Sequence, residues 1–288
     1  MTTIERVGDT TDILGEGPVW DPEGQCLWWV DIRRPAVRRF DWRTNQTDTF
    51  PMPEMVGSLA LRAERGMLLA LKSALVFWDC DTGGIVRVAD PEADRPDQRF
   101  NDGKCDPRGR FYAGTMSDST REPLGTLYRF DGRSCMPVRG SITVPNSLAW
   151  SPDGRTMYFS DSWTREIGAF SYDPDEGTMG ERHVFARIDP PAVPDGATVD
   201  SQGHLWCALY NGWRIARFAP DGTLSSSIDL PVQCPTSCQF GGPDLTRLFV
   251  TTASQRLTPD ELAKQPLAGA LLLLDVGARG LPEPRFAG

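Results

Sequence analysis

The sequence predicts an all-β fold, a six-bladed β-propeller of four-stranded blades, and three observations predict it. A tight turn recurs six times: 21–24 (D-P-E-G), 63–66 (A-E-R-G), 106–109 (D-P-R-G), 151–154 (S-P-D-G), 200–203 (D-S-Q-G) and 242–244 (G-P-D). A short apolar or aromatic run follows each turn: 27–31 (L-W-W-V-D), 67–71 (M-L-L-A-L), 111–115 (F-Y-A-G-T), 157–161 (M-Y-F-S-D), 205–209 (L-W-C-A-L) and 248–252 (L-F-V-T-T). These runs start 40, 44, 46, 48 and 43 residues apart, the period of a propeller blade. Long helical periodicity is absent, which disfavours helical solenoids and α/β folds.

The elements follow in order. Residues 3–7 (T-I-E-R-V) are expected to supply a strand to the last blade, pairing with 270–276 (A-L-L-L-L-D-V) so that the ring closes without a free sheet edge. Within each blade a polar start, a short extended stretch, the turn and the apolar run read as two strands, as in 99–116. Further strands follow, as in 126–131, 167–173 and 214–220, while 90–98 (D-P-E-A-D-R-P-D-Q) is a polar excursion. Thr258-Pro259-Asp260-Glu261 has the chemistry of a helix start, so a short helix is expected before Pro266 as a lid or brace. No linker or low-complexity segment interrupts the chain, and residues 1–288 read as one domain.

Composition narrows the function. The net charge of −9 and pI near 4.9 argue against a nucleic-acid partner, which needs clustered Lys and Arg, and favour a neutral or cationic small partner. No apolar stretch is long enough to span a membrane, and residues 1–11 are polar and mixed in charge, so a cytoplasmic protein is expected. Seven cysteines at irregular spacing fit reduced thiols; Cys234 and Cys238 lack the further ligands that zinc requires.

Eight residues before each turn position stand Glu16, Ser58, Asn101, Asn146, Asp195 and Thr236. Equivalent positions of successive blades converge on a propeller axis, and all six are polar. Short acceptors at strand starts also serve as turn formers, but Glu16, Asn101, Asn146 and Asp195 each stand beside Gly or Pro or in a short Gly- or Pro-containing motif. Two carboxylates about 5 Å apart repel by roughly 3 kcal/mol at an effective dielectric near 20, enough to raise one pKa by about two units. A divalent cation removes that penalty. The all-oxygen set suits calcium, magnesium, manganese or ferrous iron, and does not exclude zinc. There is no G-x-S-x-G, H-E-x-x-H or Walker motif, and the two histidines, His183 and His204, stand in a strand-like stretch and after a turn glycine. A metal-bound water is the best nucleophile on offer. Propeller topology brings 117–125, 161–163, 210–213 and 253–268 around the ring, with Trp163, Tyr210 and Asn211 available to a sugar-like ligand and Arg99 to its oxygens.

The stretches 14–20 (L-G-E-G-P-V-W), 99–104 (R-F-N-D-G-K), 106–116 (D-P-R-G-R-F-Y-A-G-T-M), 144–154 (V-P-N-S-L-A-W-S-P-D-G), 195–212 and 238–245, down to the final F-A-G, resemble the SMP-30/gluconolactonase/regucalcin-like family. The resemblance implies a six-bladed propeller that holds one divalent cation and hydrolyses a sugar lactone to the aldonic acid. It implies Glu16, Asn146 and Asp195 as metal ligands, Asp195 also as general base, and Arg99 and Asn101 as substrate contacts. The family's acidic lid residue falls on Asp118 or Glu122 in the loop 117–125. It also leaves open a regulatory calcium-binding propeller without hydrolase activity, another esterase on the same site, or an interaction propeller with no metal.

Overall fold

Each of the six repeats forms one four-stranded antiparallel sheet in the computed structural model, which describes residues 3–288. The innermost strands of blades 1 to 6 are Gly15–Asp21, Val56–Leu61, Gln98–Cys105, Pro145–Trp150, Val193–Val199 and Pro235–Gly241. They touch one another in a closed circuit, with blade 6 against blade 1. The N-terminal strand Ile4–Val7 pairs with Leu271–Asp275 as the outermost strand of blade 6, so the first and last segments close one blade together. That is the expected closure.

The continuous apolar runs follow from the packing of blade on blade. Successive side chains of a strand point to opposite faces, and here both faces are covered. In Cys26–Asp31, Leu27 and Trp29 pack with Phe249 and Leu271 of blade 6, whereas Trp28 and Val30 pack with Leu59, Leu69 and Trp78 of blade 2. Each such side chain contributes about 1.5–3 kcal/mol by burial. All seven cysteines are free thiols, and Cys234 and Cys238 donate to different partners, the Asn211 side chain and the Trp206 carbonyl.

The helix forms over Pro259–Lys264, where Thr258 and Glu261 exchange side-chain and backbone hydrogen bonds in a capping box. The segment after Asp275 crosses the face of the ring that carries the tight turns. Its Phe286 is fully buried, stacked 5.4 Å from Phe130, and its backbone bonds to blades 2 and 3. Glu283 lies 3.5 Å from Lys104 on an innermost strand, so the strap reaches the axis on this face, beside a cavity of about 320 Å³ lined by Lys104 and residues 281–284. Among the described residues, no helix is long and apolar enough to cross a membrane.

Candidate active site at the open end of the propeller axis

Every innermost strand slips register where its ring residue stands. The irregularities lie between Glu16 and Val19, Val56 and Ser58, Phe100 and Gly103, Asn146 and Ala149, Pro194 and Ala197, and Pro235 and Ser237. Such bulges bend a strand and re-aim its side chains, and here they turn a polar residue of each blade toward the axis. Backbone freedom matters at two places: Gly17 adopts a φ of +55°, and a Cβ on Gly196 would lie 2.1 Å from Ser237 Oγ.

The six ring residues are all buried. Thr236 and Ser58 complete the circle without charge; Thr236 Oγ1 donates to the Gly15 carbonyl at 2.5 Å, which ties blade 6 to blade 1. Asn101 Nδ2 donates to Asn146 Oδ1 and to the Pro145 carbonyl, both at 3.0 Å. Asn146 Nδ2 donates to Ser162 Oγ at 2.9 Å, and Ser162 Oγ donates to the Pro194 carbonyl at 2.6 Å, next to Asp195. The two amides are therefore fixed in orientation from blade 3 to blade 5.

The carboxylates are treated differently. Glu16 and Asp195 face each other, and Asp195 Oδ1 is buried without any hydrogen-bond partner. Burial first pushes both pKa values up; the Asp102 charge then raises Glu16, whose contact with Asp195 lowers it, and the Glu16 and Asp102 charges raise Asp195. Asp102 follows Asn101 within the same bulge and accepts from the Leu148 N–H at 3.0 Å; its own pKa is also raised, by burial. A buried pair of carboxylates with an unused oxygen, beside an amide oxygen, is a donor set that fits a hard divalent cation. Among the described residues, no group of three or more His, Cys, Asp and Glu side chains is arranged as a metal cluster, so any such site needs the amide oxygen as well.

Above the ring opens a cavity of about 390 Å³ lined by Glu16, Arg99, Asn101, Asn146 and Asp195 and by the loops expected around it. Asp118 accepts two hydrogen bonds from Arg33, at 2.7 and 3.1 Å, and one from Arg99 Nε at 2.9 Å. Arg99 Nη1 also donates to Asn101 Oδ1 at 2.8 Å, so a single chain of contacts runs from Arg33 to Ser162. Glu122 is exposed and outside the cavity wall, and Asp118 is the acidic residue of that loop that faces inward. Tyr210, Asn211 and the exposed Trp163 line the mouth. His183 and His204 lie outside it.

Sequence reasoning missed four participants. Asp102 was readable as the second polar residue of F-N-D-G, had a bulge been assumed there. Ser162 lies inside a loop segment already assigned to the mouth. Arg256 lies inside another such segment, 253–268, whereas Arg33 carries no local signal, because only the closure of the ring brings it beside blade 3. The cavity wall holds Arg33, Arg99, Arg121, Arg165 and Arg256 against Glu16, Asp118 and Asp195. The acidic whole-chain charge is no guide to this mouth.

Comparison with known proteins agrees with the fold. The profile of the SMP-30/Gluconolactonase/LRE-like region matches residues 14–254. The 6-deoxy-6-sulfogluconolactonase of Pseudomonas putida is 37% identical over 99% of both chains. The pentonolactonase of Haloferax volcanii is 35% identical over 98% of both. Among solved structures, a calcium-binding protein, regucalcin, from Agrobacterium tumefaciens superposes with a TM-score of 0.95 at 30% identity, covering 98% of this chain and 97% of that one.

Proposed function

The chain belongs to the SMP-30/gluconolactonase/LRE-like family, and from that premise we propose that it hydrolyses a sugar lactone, of gluconolactone or pentonolactone type, to the aldonic acid. One divalent cation would be held by Glu16, Asn146 and Asp195. The observation that carries this reading is the buried Glu16–Asp195 pair with its unpartnered oxygen, an arrangement that costs stability unless a ligand answers it. A cation there would supply Lewis-acid polarisation of the lactone carbonyl and a counter-charge for the two carboxylates.

The protein's own groups account for the rest. Asp195 orients a water and accepts its proton as the water oxygen bonds to the carbonyl carbon. The bond from that carbon to the ring oxygen then breaks, and the ring oxygen takes up a proton from solvent as the hydroxyl of the product while Asp195 returns to solvent the proton it accepted. Arg99, held in place by Asp118 and Asn101, presents its guanidinium edge to substrate hydroxyls, while Asn101 sits between that arginine and Asn146. Trp163 offers an apolar ring to the sugar face at the mouth.

The likeness to a regucalcin described as calcium-binding supports a second reading, a regulatory calcium-binding propeller. Proton release decides between them. Protein stripped with chelator and reloaded with calcium, zinc, manganese, magnesium or ferrous iron singly is assayed on glucono-, galactono-, xylono- and arabinono-lactone, with spontaneous hydrolysis subtracted. Activity lost on stripping and restored by one metal is the lactonase outcome. Folded, metal-binding protein with no rate above background on any of them favours the regulatory reading.

A further inference from the structure

Five arginines line the cavity, and they divide into two groups. Arg33 and Arg99 are neutralised by Asp118. Arg121, Arg165 and Arg256 have no ion-pair partner and no side-chain hydrogen bond among the described residues, although all three stand at the same mouth. Other exposed guanidiniums, such as Arg133, Arg139, Arg155 and Arg279, also lack an ion pair among the described residues, but they are scattered over the surface, whereas these three line one cavity.

We infer that the mouth binds an anionic group of the substrate, a phosphate, sulfonate or carboxylate carried at the end of the sugar away from the lactone, through Arg121 and Arg256 with Arg165 beside them. The inference rests on the lactonase reading and gives it a substrate class. Arg121 and Arg256 come from different blades, in the loops after Phe111–Ser117 and Arg247–Thr252, and the fold brings them together over one cavity whose floor is Glu16 and Asp195. Arg121 is seated with its guanidinium 5.7 Å from the centre of the Trp163 ring. Burial, then the like charges of Arg256 and Arg33, hold its pKa below the ordinary value. An oxyanion answers this crowding, and guanidinium edges match its oxygens two at a time. A neutral sugar leaves the repulsion in place. Reacting carbonyl and anion are then held in one cavity, by different residues.

The test compares kcat/KM of the metal-loaded protein for neutral glucono-lactone with that for its 6-phosphate, for 6-deoxy-6-sulfogluconolactone and for a glucaric acid lactone. The same series is run on the double variant Arg121→Gln, Arg256→Gln. At least one charged lactone is expected to exceed the neutral one by about tenfold or more, an advantage that shrinks with added salt and falls by about tenfold in the variant. The arm that wins identifies the anion. A neutral lactone equal to or better than all three charged ones, or a preference untouched in the variant, overturns the inference and leaves the lactonase reading standing. If no lactone is turned over, the lactonase reading fails instead. Calorimetry with gluconate and 6-phosphogluconate then still judges the anion site: tighter binding of the phosphate that the variant loses supports it, and equal binding overturns it.

Discussion

Asp195 lies within the innermost strand of blade 5 and Asp200 just past its end, five residues apart and both buried, yet the protein treats their charges in opposite ways. Asp200 sits at the tight-turn face. It accepts from the backbone N–H groups of Gln202 and His204, from Trp206 Nε1 at 3.0 Å and from Arg217 at 2.7 Å. Burial alone would raise its pKa, but these donors outweigh it and hold the carboxyl below the usual range. Asp195 faces Glu16 and keeps one oxygen without a partner. A carboxylate whose every lone pair is answered by the chain holds a turn together. One that the chain leaves unanswered, at the same depth, is built for something the chain does not contain.

Exchanging each for its amide should separate the two roles. Asp195→Asn is expected to lower lactone turnover by about 10³-fold, the range of a lost general base, while the metal-free protein melts at or above the wild-type temperature because a buried repulsion is gone. Asp200→Asn is expected to do the reverse. It leaves Arg217 uncompensated and should destabilise the fold by about 3 kcal/mol, with near-normal turnover by the protein that remains folded. Calorimetry beside a rate assay reads both, and near-normal turnover in a folded, metal-loaded Asp195→Asn would break the comparison.

Asp118 sharpens it, since that carboxylate is fully answered yet stands in the site. Its pKa is lowered, with the donors Arg33 and Arg99 outweighing burial. Asp118→Asn should loosen Arg99 and raise KM about tenfold with a smaller change in kcat. An equal fall in kcat and kcat/KM would instead give Asp118 a part in the chemical step.

The smallest effect is on pH dependence. A carboxyl whose pKa rises on folding stabilises the fold while protonated; that stability is complete below the ordinary carboxylate range and is lost as pH rises through the folded value. Glu16 and Asp195 are of this kind, so the melting temperature of chelator-treated protein should fall as pH rises above the ordinary carboxylate range. Asp200 has the opposite sign: its contribution is present above the unfolded value and lost as pH falls through the folded one. Saturating divalent cation should flatten the upper slope and leave the acid limb intact. A melting temperature that is flat on the upper side without metal would mean that neither burial nor the neighbouring carboxylates raise these two groups.

The ring Glu16, Ser58, Asn101, Asn146, Asp195 and Thr236 was legible because its cause is local. Each blade repeats one strand–turn–strand unit, so the distance from a turn to the axis is a constant number of residues, whatever the other blades do. The same holds for the helix at Pro259–Lys264, whose start is set by the Thr258 cap. The sequence by itself thus determined the number of blades, their closure by the N-terminal strand and the polar ring, since alternation and turn chemistry act over a few neighbouring residues. Only the tertiary structure decided that Asp102 joins the ring through a bulge, that Asp118 rather than Glu122 faces the cavity with Arg33 and Arg99, and that the mouth of an acidic protein is lined by arginines. Those features depend on which loops of separate blades meet over the axis. Electrostatics is a sum over distances in space, and spacing along the chain does not contain them.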